Sequence, residues 1–232
     1  MTDLLSIAIM TVPERIKMAE NLFHIFQSNN IEAQLFNDIR YQGVWWNAKR
    51  SWGAAKGIYH MVIQDDCMPH YPETFIERLI PIINILNDTY IATLFDINNS
   101  FIRRSAIIIQ NGLLKINRVT TAQAIIMSKN NTYKFLRWVN KNIPFDDIET
   151  KCDDERIANW QIANNIPALL PIPYMVDHND NNYSTIENKH SKPRNILPVD
   201  IGTSYPLKIY KSSHKIMPSK RFNETIENFK NV

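Results

Sequence analysis

Glycine is scarce in this chain, with five in 232 residues, at positions 43, 53, 57, 112 and 202. No G-x-G-x-x-G or G-x-x-x-x-G-K can be assembled from them. That excludes the dinucleotide fingerprint and the P-loop, whose backbone must crowd a phosphate. Cysteine is scarcer still. Cys67 and Cys152 stand alone with no paired spacing, so neither a disulfide framework nor a Cys-rich zinc site is expected. Long apolar runs are missing too. The longest, Leu79 to Leu86, is interrupted by Pro81 and Asn84, and it falls short of the roughly 18 residues that span a bilayer. The opening MTDLLSIAIM has Asp3 where a signal peptide carries its basic region. No small-residue cleavage site follows. The expected location is the cytoplasm, with no integral membrane segment.

What is present is ordinary globular composition, 44% hydrophobic and 21% charged, enough for one sizeable α/β domain. Charge is unevenly placed. Residues 1–188 hold 17 Lys/Arg against 20 Asp/Glu, and residues 189–232 hold 9 against 3. A basic extension on a slightly acidic body suggests an anionic partner, a membrane surface or nucleic acid.

Leu4 to Met10 is a short apolar run closed by Thr11, Val12 and Pro13, which predicts a buried strand. Ile16, Ala19, Phe23 and Phe26 repeat at helical spacing over Arg15 to Ser28. Strands are predicted at Ile31 to Phe36 and His60 to Gln64, separated by a Trp-rich helix over Trp45 to Lys56. Pro72 opens a further helix to about Leu86. Tyr90 to Phe95, Ala106 to Ile109 and Ala122 to Met127 read as strands, and Tyr133 to Asn140 and Asp153 to Asn164 as helices. Pro167 to Met175 reads as extended. Alternation of strand and helix in the first half implies parallel pairing with helices on the sheet's faces. Sites in such sheets form beyond the carboxyl ends of the strands. The clusters Thr11 to Arg15, Asn37-Asp38 and Asp65-Asp66 fall there.

Asp65-Asp66 end an apolar strand. Adjacent carboxylates repel, so a cation is expected beside them, and a divalent metal held by carboxylate and phosphate oxygens fits. His178 follows an extended segment and has Asp177 as a neighbour able to orient a ligating imidazole. Asp66 and His178 with phosphate and water would complete an octahedral Mn²⁺ or Mg²⁺. Asp153-Asp154-Glu155 begin a helix, where acids are favoured by the dipole. One of them could also serve as general base. Asn47, Lys49 and Arg50 lie on a helix upstream of Asp65 and could hold a diphosphate.

The order T-V-P-E-R, W-N-A-K-R-S-W-G and H-M-V-I-Q-D-D-C-M-P, followed by D-D-E-R-I-A-N-W and P-I-P-Y-M-V-D-H-N-D, resembles GT-A-type glycosyltransferases. The similarity is closest to small bacterial and phage members and covers about residues 4–190. It implies a GT-A-like (Rossmann-like) α/β domain over residues 1–190, with a mixed, mostly parallel sheet flanked by helices. Residues 191–232 would form a basic extension. It also implies a nucleotide-sugar donor, a UDP-sugar first, and transfer of a hexosyl or pentosyl group.

Carried onto this chain, Thr11, Pro13 and Arg15 would line the nucleotide pocket, and Asp38 would read the base edge. Asn47 and Arg50 would contact ribose and diphosphate, with Asp65 near the ribose. Asp66 and His178 would ligate Mn²⁺ or Mg²⁺, Gln123 would face donor sugar or acceptor, and Asp153 or Asp154 would be the base. Gln64 stands where the family's Asp-x-Asp motif has its first acid, so the metal site has one carboxylate fewer. The acceptor expected from the basic extension and the phage resemblance is a modified, hydroxymethylated DNA base. A surface polysaccharide or lipid-linked sugar is the second acceptor class. A catalytically silent nucleic-acid-binding module on the same fold is the non-enzymatic alternative.

Overall fold

The computed structural model describes residues 4–95, 106–110, 112–143, 152–178, 183–184, 189–190, 195–200 and 206–211. The chain opens with β1 (Leu5–Thr11), α1 (Ile16–Ser28), β2 (Ala33–Asn37), α2 (Val44–Gly53) and β3 (Tyr59–Gln64). There follow β4 (Cys67–Pro69), α3 (Phe75–Ile85), β5 (Ile91–Thr93), β6 (Ile107–Gln110), β7 (Leu113–Ile116) and β8 (Ala124–Ser128). Next come α4 (Lys129–Asn142), α5 (Asp153–Asn164), β9 (Ala168–Pro171) and β10 (Val176–His178). Beyond them β11 (Tyr183–Ser184) pairs with β12 (Lys189–His190), and β13 (Asn195–Asp200) with β14 (Pro206–Lys211), both antiparallel. Periodicity gave no strand in this last stretch, so the two hairpins are additions to the sequence reading. No helix among the described residues is long and apolar enough to cross a membrane.

Eight strands form one mixed sheet in the order β2-β1-β3-β8-β5-β9-β7-β6. β8 and β7 run against the other six. The expected α/β architecture, a mixed sheet with most strands running one way and helices on its faces, is what the chain adopts. β1 has β2 on one side and β3 on the other, both parallel to it. Right-handed crossovers therefore put α1 and α2 on opposite faces of the sheet. On the α1 side, Phe26 meets Phe75 of α3 edge-on at 5.7 Å. On the α2 side, Phe135 of α4 gathers Trp45, Trp52 and Trp160 at 5.9, 6.0 and 5.6 Å, all edge-on. Such contacts join three helices and bury a large apolar area per residue.

One bound that differs from the periodicity has a local cause. α4 begins four residues before Tyr133 because Ser128 caps it, its hydroxyl accepting the Asn131 N–H at 3.0 Å. β4 spans only three residues, too few to show a period.

The sheet floor carries a buried histidine. His60 Nε2 donates to the Ser51 carbonyl at 2.8 Å, so Nδ1 accepts from the Ser6 hydroxyl, also at 2.8 Å. Burial pushes the His60 pKa down to about 4 from 6.5, with only partial opposition from those hydrogen bonds. An unfolded histidine binds a proton near 6.5 that the native one refuses, so stability present above that pH is lost as pH falls towards 4. We expect urea melts to show a pH 5-to-7 difference smaller in His60→Gln than in the parent, by up to about 2 kcal/mol.

Candidate functional site

β1 is the switch point of the sheet, and the crevice expected there opens beyond Thr11, Asn37 and Gln64. Those residues end adjacent strands, with Thr11 level with Asn37 and Met10 with Gln64. The chain leaves β1 through a single 3-10 turn, Pro13–Arg15. This turn aims Arg15 across the crevice, where Nη2 lies 2.9 Å from Asp65 Oδ1 and Nη1 lies 2.7 Å from Asp66 Oδ2. The cation required by the adjacent carboxylates is thus supplied first by the protein itself.

His178 reaches the same place by a different route. β10 pairs antiparallel with β4, which sets His178 opposite Cys67, one residue past Asp66. His178 Nε2 lies 3.2 Å from Asp66 Oδ2, and its ring rests on Phe95 at 6.0 Å. Asp177 does not take the orienting part expected of it. Side chains alternate along a strand, and Asp177 Oδ1 meets His70 Nε2 at 2.9 Å, closing the ribbon instead.

Burial pushes the Asp66 carboxyl up, but His178 and Arg15 together outweigh it and leave its pKa below the ordinary value. Asp65 goes the other way. Burial raises it to about 6, Arg15 offsetting part of the rise and Asp66 adding to it.

Asp153 begins α5. α4 starts beside Ser128, which is level with Tyr59 at the foot of β3, and α5 ends before Ala168, level with Ile91 at the foot of β5. α5 therefore descends the sheet, and its first residue lies at the crevice end. Asp153 is 3% exposed and its Oδ2 has no hydrogen-bond partner. Burial, reinforced by Asp154, raises its pKa to about 7. Asp154 is more open, and its Oδ1 accepts the Glu155 N–H at 2.8 Å, the ordinary work of an acid in a first turn.

Three of the residues expected to bind the donor have partners within the protein. Asp38 accepts the backbone N–H groups of Gln42 and Gly43, one on each carboxylate oxygen and each at 2.9 Å, and so shapes the loop before α2. Gly43 permits that loop, with φ at 104°. Asn47 donates through Nδ2 to the carbonyls of Thr11 and Phe36 at 3.0 and 2.8 Å, bracing β1 against β2. Only its Oδ1 is left for a ligand. Arg50 is exposed, its guanidinium 4.3 Å over Trp46 and 5.7 Å from Phe36, with Nη1 donating to the Asn37 carbonyl at 3.5 Å at the end of β2.

Thr11 is buried, and its hydroxyl donates to the Val12 carbonyl at 3.2 Å. Pro13 lies half-buried in the same turn as Arg15. Gln123 is half-buried, and its carbonyl accepts from Gln64 N–H at 2.8 Å and Cys67 Sγ at 3.3 Å.

Around this crevice, buried polar atoms lack partners. They are Asn37 Oδ1, Asn47 Oδ1, both oxygens of Asp65, Gln123 Oε1 and Arg15 Nε. Arg15 and Asp65 are close in charge terms yet not aligned as a hydrogen bond. Five of these six atoms are acceptors, of which Asp65 Oδ1 has the Arg15 charge beside it, and buried acceptors without hydrogen bonds are costly. They call for a ligand rich in hydroxyl donors, ordered water or a hydrated cation. Among the described residues no three His, Cys, Asp or Glu side chains form a metal cage. Asp66 and His178 would therefore supply only two protein ligands to Mn²⁺ or Mg²⁺, with phosphate oxygens and water completing the set, and the imidazole makes this a softer site than the all-oxygen shell Mg²⁺ prefers.

No protein-family model matches the sequence, and no curated protein matches it significantly. Among solved structures, the chain is similar to apo UDP-glucose pyrophosphorylase, with TM-score 0.41 and 9% identity over 75% of this chain and 74% of that one. It is similar to the same kind of enzyme solved with UDP-glucose, with TM-score 0.41 and 9% identity over 75% and 73%. It is also similar to inositol-1-phosphate CTP transferase from T. maritima, with TM-score 0.39 and 9% identity over 72% and 65%.

Proposed function

We propose that this chain is a transferase acting on a nucleotide-sugar donor, and specifically a metal-assisted glycosyltransferase. The observation that carries the reading is the crevice beyond β1, where Arg15, Asp65, Asp66 and His178 converge beside bare oxygen acceptors. Ribose and sugar hydroxyls are donors of the kind those acceptors lack. Asp65, next to Asn37 and Asn47 in this scheme, takes the ribose side.

Asp66 and His178 would hold Mn²⁺ or Mg²⁺, which when bound supplies positive charge to the departing diphosphate. Arg15 adds a forked guanidinium to the same oxygens. Asp153 takes the proton of the acceptor hydroxyl. The acceptor oxygen then bonds to the anomeric carbon while that carbon's bond to the phosphate oxygen breaks, and the nucleoside diphosphate leaves with the electron pair. A base whose pKa lies near 7 is matched to this step at neutral pH.

The basic 191–232 extension supports an anionic acceptor, and a hydroxymethylated DNA base is the acceptor we favour. On a duplex, such chemistry needs the base extruded, and binding should weaken steeply with salt.

The test is nucleoside diphosphate release from a panel of nucleotide sugars with Mn²⁺ or with chelator, alongside melting curves. Metal-dependent release from one donor, and a raised melting temperature with it, is the expected result. Absence of both for every donor at millimolar concentration would sink the reading. Pyrophosphate release from a nucleoside triphosphate plus sugar phosphate would replace it with nucleotidyl transfer. Labelled donor offered separately to modified DNA, lipid extract and peptide then identifies the acceptor.

A further inference from the structure

The carboxylate assigned to the cation already carries a guanidinium. Asp66 Oδ2 accepts Arg15 Nη1 at 2.7 Å and lies 3.2 Å from His178 Nε2. A carboxylate oxygen has two lone-pair directions, and both are used. The other oxygen, Oδ1, faces only the Cys67 thiol at 3.9 Å. The second arm of Arg15 holds Asp65 at 2.9 Å. A divalent cation arriving alone meets the positive charge of a guanidinium held on the same carboxylate.

We propose that Arg15 is a resident counter-ion that keeps the cation off Asp66 until a diphosphate draws its guanidinium away, so that cation and diphosphate bind only as a coupled pair. The inference rests on the reading of Asp66 and His178 as cation ligands.

The exchange follows from charge and shape. With the site empty, Arg15 neutralises two buried neighbours that would otherwise repel. A diphosphate alone would face those carboxylates. When both arrive, the carboxylates trade a guanidinium for a divalent ion, and the guanidinium trades carboxylates for phosphate oxygens, which its planar fork fits in bidentate fashion. Each carboxylate keeps a cationic neighbour before and after the exchange. The geometry allows the swing. The Arg15 side chain keeps 19% exposure, whereas those of Asp65 and Asp66 have 0% and 8%. The turn beneath it is pinned from the other side by Glu14, whose Oε1 accepts the Tyr41 hydroxyl at 2.8 Å. The side chain can therefore move without the backbone following.

The consequence is a linkage that must be reciprocal. In the parent protein, UDP should tighten Mn²⁺, and Mn²⁺ should tighten UDP, by the same factor, about thirtyfold or more. Arg15→Met keeps the length and removes the charge. It should bind Mn²⁺ alone about tenfold tighter than the parent, bind UDP more weakly, and show a much smaller coupling factor. Because Arg15→Met leaves two buried carboxylates unneutralised, it should also melt lower than the parent without metal and recover more on adding Mn²⁺. Arg15→Lys, which keeps the charge but cannot fork, should fall between the two and serves if the Met variant does not fold.

The experiment is calorimetric titration of the full chain with Mn²⁺, with UDP, and with each in the presence of the other, for the parent and both variants. Tighter binding of Mn²⁺ alone in Arg15→Met, with the coupling reduced, is the expected outcome. If Mn²⁺ binds the parent with UDP, and neither variant binds Mn²⁺ alone more tightly, the counter-ion role is overturned while the metal reading stands. If Mn²⁺ binds no version with or without UDP, both are overturned.

Discussion

Asp66→Asn is expected to lower metal-dependent release of nucleoside diphosphate by about 10²–10³-fold, the scale seen when a charge-stabilising group is removed from a reacting centre. The amide keeps the size of the carboxylate and loses its charge. A hard cation then faces His178 and no anionic side chain, and Arg15 keeps only Asp65. The stability cost should be modest for a buried ion cluster, about 1–3 kcal/mol. Asp66 is one of the causes that raise the Asp65 pKa to about 6, so its neutralisation makes Asp65 a better partner for Arg15. The measurement is initial rate against donor concentration for both proteins, with urea melts to confirm folding. Turnover unchanged in a folded Asp66→Asn protein would remove the site as drawn.

Asp153→Asn should separate stability from activity. The native Asp153 pKa of about 7 is well above its unfolded value of 3.8. The folded protein holds a proton there that the unfolded chain has released, so the stability is full below 3.8 and is lost as pH rises through about 7. An amide, which never ionises, keeps it. The variant should therefore be the more stable protein at pH 8, by at most about 4 kcal/mol, with the gap closing towards pH 4. Transfer should fall by about 10²–10⁴-fold, because the amide cannot take the acceptor's proton. The parent's rate should climb through pH 7, and that climb should vanish in the variant. A variant that is no more stable at pH 8 than at pH 5, relative to the parent, would show that the carboxyl is not held neutral. A variant with full activity would assign the proton to another group.

Much of this molecule can be read along the chain. The apolar run ending at Met10, the helical repeat from Ile16 to Phe26, and His60 to Gln64 each obey a short-range period, which sets local structure wherever one face must be buried. α5 was bounded correctly because its acids, its apolar face and Asn165, with its positive φ, mark both ends locally. The alternation of strand and helix, with right-handed crossovers, leads to parallel pairing around β1 and hence to a crevice at its end. Asp65 and Asp66 stand out because two charges rarely close an apolar strand without a partner.

What the partner is could not be read there. Arg15 and Asp66 are 51 positions apart, and only the β1–β3 pairing decides that a basic residue leaving one strand faces acids leaving the next. The ribbon that delivers His178 is three residues a side, too short to leave a period. Asp38, Asn47 and Arg50 have side chains that suit a nucleotide by type, and only loop and helix geometry shows that each also binds backbone groups or Trp46. Local spacing determines which face a residue lies on. Which distant charge it meets is a property of strand order and register, and those are settled by burial of the whole core.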